Sequence, residues 1–350
     1  LYGQIGSYKK SLEYTEKALT VAQEIGDRRG EGAVLGNIGL AYSDLGQIER
    51  AIEYYEQALA ISQEIGDRRG EGNSLGNIGL AYSDLGQIER AIEYYEQALA
   101  ISQEIGDRRG EGKDLGNIGI AYSDLGQIER AIKYHEQALA ISQEIGDRRG
   151  EGKDLGNLGY TYYTLGQIER VIEYYEQALA ISQEIGDRRS EGNSLGNIGL
   201  AYSDLGQIER AIEYYEQALA IFQEIGDRRG EGKDLGNIGN AYFEQGQVER
   251  AIEYHEQALA ISQEIGDRRG EGARLNNLGV AFEDMEHYDL ALACYLLART
   301  IQGEIRDPKI ERTENNIGAL KTKIGAEEFQ KLMAAVEPKA EEIVQGILGG

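Results

Sequence analysis

The apolar positions of this chain fall at helical spacing over nearly its whole length, and the pattern repeats every forty residues. In the segment Ile88–Ile105, Ala91, Tyr95, Ala98, Ser102 and Ile105 lie at i, i+4, i+7, i+11 and i+14, and Ile88, Ile92 and Leu99 widen the stripe. Glu89, Glu93 and Glu96 fall on another face, which should be solvated. A second apolar pattern, over Arg68–Asp84, is studded with Gly70, Gly72, Gly76 and Gly79. Gly46 and Gly66 punctuate the two patterns, as glycine does where a left-handed residue closes a helix. Asp67 follows Gly66 and suits a helix N-cap. The spacing therefore predicts helix A at about 68–84 and helix B at about 88–105.

The text Gly66–Ile105 recurs with few changes from Gly106, Gly146, Gly186 and Gly226, and is recognisable from Gly26 and Gly266. Residues 26–305 thus read as seven units. Each interior glycine of helix A costs roughly 1 kcal/mol against alanine. Such a cost fits helices whose backbones approach closely, with Gly79 and Ala98 as expected meeting points. One unit cannot bury its own apolar face, so stability must come from stacking.

The ends break the pattern. Leu1 and Tyr2 align with Ala41 and Tyr42, so residues 1–25 are expected to hold the end of one helix A and a complete helix B. That register predicts an array belonging to a longer protein. Glu286 stands where glycine is expected, Pro308 replaces an arginine, and one residue is lost before Asn315. Residues 306–350 read as a degenerate repeat and helices that cap the last apolar face, interrupted at Pro338.

Leu75, Ile78, Gly79 and Tyr82, followed by Ala91, Tyr95 and Ala98, resemble the signature of tetratricopeptide repeats. The departure is in length: forty residues against about thirty-four, with a longer helix B and no closing proline. The long form, with its Gly-Asp-Arg turn and Leu-Gly-Asn on helix A, resembles the repeats of Partner-of-Inscuteable adaptors. It is also similar to bacterial arrays attached to signalling ATPases or caspase-like proteases, and the near-identity of the units favours that group. The resemblance implies an all-α fold, a right-handed superhelical α-solenoid of antiparallel helix hairpins with helix A on its concave side.

On that face the resemblance places an asparagine in every unit: Asn37, Asn77, Asn117, Asn157, Asn197, Asn237, Asn277 and, after the slip, Asn316. An amide can pair with both N–H and C=O of an extended peptide. The alternative is that these amides bond neighbouring helix backbone. The preceding glycines, such as Gly36, Gly76 and Gly116, either keep the groove wall bare or let adjacent A helices pack tightly. Lys113, Lys153 and Lys233 sit where other units hold Ala or Asn and could meet ligand carboxylates, or pair with Asp114, Asp154 and Asp234 beside them. Asp44, Asp84, Asp124, Asp204 and Asp284 give the groove mixed sign. Arg68 and Arg69 are expected to form ion pairs with Asp67 and Glu71 within the turn.

Composition narrows the function. Lys and Arg total 36, Asp and Glu 61, and the net charge is −25, which opposes binding to nucleic acid. Cys294 is the single cysteine, so the chain has no internal disulfide. No apolar run reaches the ~18 residues that span a bilayer, and no signal peptide is seen; both fit a cytoplasmic protein. His135 and His255 replace the Tyr95-type core residue, and His287 lies in the degenerate turn. No metal or cofactor site, and no catalytic residue, is expected. The reading is a scaffold that binds a peptide or partner protein. Its competitors are the sensor arm of a larger bacterial signalling ATPase or protease and an array that self-associates end to end. A small-molecule sensor has no support in the residues.

Overall fold

The computed structural model describes residues 2–348, with side chains described for 12–346. Among the described residues it is helical throughout, with no strand. The chain forms two compact units, residues 1–170 and 171–350. The first contains α1 (Tyr2–Glu24), α2 (Arg28–Asp44), α3 (Ile48–Ile65), α4 (Arg68–Asp84), α5 (Ile88–Glu104), α6 (Arg108–Asp124), α7 (Ile128–Glu144) and α8 (Arg148–Thr164). Helix α9 (Ile168–Ile185) begins at the division. The second unit continues with α10 (Arg188–Asp204), α11 (Ile208–Ile225), α12 (Arg228–Glu244), α13 (Val248–Glu264), α14 (Arg268–Asp284) and α15 (Tyr288–Glu304). It closes with α16 (Ile310–Ile324), α17 (Ala326–Val336), a short 3-10 turn and α18 (Ala340–Leu348). Within each unit the helices pair as antiparallel hairpins and stack as an α-solenoid.

The hairpin of α4 and α5 shows why this sequence folds this way. Gly66 and Gly86 take φ of 69° and 71°, left-handed values that end one helix and free the chain to reverse. Asp67 caps α4 by accepting the Gly70 N–H at 3.0 Å. A Cβ on Gly79 would lie 2.6 Å from the Tyr95 ring and 3.2 Å from the Ala91 carbonyl oxygen, so only glycine fits there. The expected meeting of Gly79 with Ala98 is corrected: Tyr95 fills that space, and Ile101 and the Ala98 carbonyl pack on Gly72 instead. Ile101, not Ile105, completes the buried stripe. Ile105 lies just past the last turn, where the backbone has left the stripe. Tyr82 stacks on Tyr94 at 5.3 Å and is covered by the Arg90 guanidinium at 4.5 Å.

The paired arginines work between elements as well as within the turn. Arg68 binds Glu71, as expected, and also Glu104 at the far end of its hairpin. Arg69 does not pair with Asp67; it reaches Asp107, the cap of the next helix A, at 3.4 Å. Asp67 likewise pairs with Arg29 of the preceding unit at 3.5 Å, through the carboxylate oxygen that does not cap Gly70. The arginines are exposed, so solvent screens these contacts and each contributes little.

Two departures concern the ends. The turn expected at Gly6, in register with Gly46, does not form: α1 runs unbroken from Tyr2 to Glu24. Gly6 is tolerated inside the helix at a cost of about 1 kcal/mol against alanine. Glu286 and Arg306 stand in glycine positions and take φ of 63° and 53°, conformations that cost an L-residue about 1–2 kcal/mol. Beyond them, Leu320, Phe329, Val336, Ala340 and Val344 bury one core with Leu292, Cys294 and Leu296 of α15. His135 and His255 are core residues as expected, and burial pushes them down to about 4 and about 3, so both are neutral. No helix among the described residues is long and apolar enough to cross a membrane.

Candidate functional site

Helix A buries Leu75, Ile78, Ala81 and Tyr82 and turns another face outward. Arg69, Asn73, Leu80 and Asp84 are exposed on that face and Asn77 is half-buried, at intervals of three and four residues. Successive A helices present the same face side by side, with shallow cavities between them. In the first unit one cavity of about 360 Å³ lies between α2 and α4, lined by Gly36, Asn37, Leu40, Ile65, Asn73 and Asn77 among others. Another, of about 180 Å³, lies between α6 and α8 with Lys113, Gly116 and Lys153 in its walls.

The asparagines do not bond helix backbone among the described residues. In the first unit the Asn37, Asn77, Asn117 and Asn157 side chains have no hydrogen-bond partner there, and the Nδ2 atoms of Asn117 and Asn157 are shielded from solvent as well. Leaving such a donor unpaired costs about 1–3 kcal/mol. In the second unit Asn197 is likewise unpartnered. Asn237 lies 3.5 Å from Asp234 Oδ1, Asn277 donates to Asn240 Oδ1 at 2.9 Å, and Asn316 donates to Asn276 Oδ1 at 3.0 Å.

The glycines before these asparagines divide. A Cβ on Gly36 or Gly156 would meet nothing within 4 Å, so the wall there is bare. A Cβ on Gly76, Gly116 or Gly196 would instead lie 3.9, 3.7 or 3.2 Å from a carboxylate oxygen of Asp114, Asp154 or Asp234, respectively. These acids enter the space between helices; the helix backbones do not touch there.

Lys113, Lys153 and Lys233 are exposed and make no ion pair among the described residues. Pairing with the adjacent aspartates is thereby corrected. One step along a helix turns the side chain by about 100°, so Lys points outward and Asp inward. Asp114 and Asp154 accept hydrogen bonds from Ser102 and Ser142 of the preceding helix B at 2.8 and 2.7 Å. Burial, the larger effect, still pushes both up to about 6. Asp234 finds Phe222 where its serine would be. Its Oδ2 has no partner, and burial pushes it up to about 7.

One feature of this face was not singled out from sequence. Leu40, Leu80, Ile120 and Tyr160 form an exposed apolar row in the first unit, Tyr160 at 57% exposure, and Leu200 is exposed at the same position in the second. The signal was present, as an apolar residue three places after each asparagine of the series except Asn237, off the core stripe.

A family model described as tetratricopeptide repeat matches residues 1–64, 32–104, 70–144, 113–184, 155–224 and 235–304, and a second of the same description matches 197–264. The chain belongs to the tetratricopeptide repeat family. No curated protein matches it in sequence. Among solved structures, the apo form of the quorum sensor NprR from B. thuringiensis is similar with TM-score 0.64 and 17% identity, over 86% of each chain. Aspartyl phosphate phosphatase F from Bacillus subtilis gives 0.63 and 18%, over 97% of this chain and 95% of that one. The STAND protein with a tetratricopeptide repeat sensor, PH0952 from Pyrococcus horikoshii, gives 0.62 and 19%; the match covers 96% of this chain and 54% of that one. At these identities the likeness is one of fold. In this tetratricopeptide array the outward face of helix A carries amides, bare glycines, an apolar row and unpaired lysines together.

Proposed function

We propose that the chain is a protein-interaction module that holds an extended peptide on the A-helix face of its first unit. The observation that carries this reading is the set of four unpartnered amides, Asn37, Asn77, Asn117 and Asn157, beside glycines whose Cβ space is open at positions 36 and 156. Backbone N–H and C=O groups of a peptide would complete those amides. Leu40, Leu80, Ile120 and Tyr160 supply apolar contact, and Lys113 and Lys153 would favour acidic side chains nearby. In the second unit Asn197 and Lys233 remain available, whereas Asn237, Asn277 and Asn316 are engaged within the protein.

The reading is of a binding module and not an enzyme. The acids of helix B lie on its solvated face and recur from unit to unit, which suits architecture better than a unique reaction centre. Panning a random peptide library against the whole chain tests the proposal. The selected peptides should be extended and rich in apolar residues, with acidic ones among them. Recovery of no binder, or of binders unaffected by Asn→Ala changes in the first unit, would remove it.

A further inference from the structure

The repeat Gly226–Ile265 differs from Gly66–Ile105 at eight positions, as does Gly146–Ile185. Lys233 and Asp234 recur in two sister repeats, and the histidine of His255 recurs in one, as His135. Of the remaining five, Asn240, Phe243 and Glu244 line one cavity of about 310 Å³ together with His255, completed by Asn277 and Val280 of α14 and Arg312 of α16. Stacking does not require these changes, since the sister repeats stack without them. Their convergence on one space points to a ligand.

The cavity is a built site. Asn277 donates to Asn240 Oδ1 at 2.9 Å, which fixes both amides and leaves the Asn240 NH2 and the Asn277 carbonyl oxygen for a guest. His255 takes the place of Tyr95 without the phenol tip, is 2% exposed, and its Nδ1 has no partner. Burial holds the ring neutral, so the cavity has two formal charges. Glu244 and Arg312 are both exposed at its rim, and neither forms an ion pair with the other or with any described residue. Opposite charges held apart around one space complement a guest that carries both signs. Phe243 and Val280 add an apolar wall. The volume is at the small end of ligand pockets, roughly 300–1,000 Å³, which suits a single small molecule better than a length of peptide.

We propose that this cavity in the second unit binds a small zwitterion, a free α-amino acid with an apolar side chain. Its ammonium faces Glu244, its carboxylate faces Arg312 and the Asn240 NH2, and its side chain lies against Phe243 and Val280. The site stands independently of the peptide face of the first unit.

Titration calorimetry on the whole chain, with L-leucine, L-valine and L-phenylalanine as probes, tests it. N-acetyl-L-leucine lacks the ammonium and L-leucinamide lacks the carboxylate, and each should bind about tenfold more weakly than leucine or worse. His255→Tyr and Asn240→Leu install residues that the sister repeats already carry, so folding should survive, as checked by circular dichroism. Both should abolish amino-acid binding, while Asn117→Ala leaves it intact. The proposal is overturned if none of the three amino acids binds at millimolar concentration, if the blocked analogues bind as well as leucine, or if His255→Tyr binds normally.

Discussion

Asp114, Asp154 and Asp234 occupy the same place in three repeats and differ by one neighbour. The first two are held by serines, while Asp234 meets Phe222 and keeps an unpaired oxygen. Its carboxyl, 1% exposed, is pushed up to about 7 from an ordinary 3.8. The protonated form is the one the fold favours, so this group's contribution is complete below about pH 4 and is lost as pH rises through about 7. Asp234→Asn keeps the shape and removes the titration. It should raise the melting temperature at pH 8 and change it little at pH 4; equal effects at both would show that the carboxyl is not the source. The sequence places Asp beside Lys and so offers local pairing. The 100° turn between them, and the serine twelve residues back, become visible only when the preceding helix is in place.

Between elements, glycine separates into distinct roles that look alike in the sequence. Gly66 and Gly86 end helices in left-handed conformations, and together with Asp67 they made the boundaries of α4 and α5 legible to within a residue. Such signals are local, which is why they can be read from one chain. Gly79 yields space to Tyr95, whereas Gly36 and Gly156 face open space. Gly79→Ala should therefore destabilise the stack. Gly36→Ala and Gly156→Ala should each stabilise it by about 1 kcal/mol, the helix-propensity difference, while intruding on the peptide face. Urea denaturation curves separate the two classes; a loss of stability in Gly36→Ala would mean that its glycine serves packing. The continuous α1 was not legible, because Gly6 stands in register with Gly46, which ends a helix in the next repeat.

At the scale of the molecule, the repeat was legible because the same hairpin is written seven times, and each copy confirms the others. Repetition hides what matters for binding. The Asn series reads as uniform in the sequence, yet the amides are unpartnered through the first unit and engaged at Asn237, Asn277 and Asn316. The difference arises at Phe222, which replaces the serine that would hold Asp234, and at Asn240 and Asn276, which depart from the pattern and supply acceptors. We therefore propose the first unit, and not the second, as the peptide-binding one. The decisive measurement is the affinity of a library-selected peptide for the whole chain and for the triple variant Asn77→Ala, Asn117→Ala, Asn157→Ala, at matched helicity. Each amide lost should weaken binding about threefold to tenfold, so the triple variant should lose at least about thirtyfold. An unchanged affinity would contradict the assignment of these asparagines as the peptide's grip.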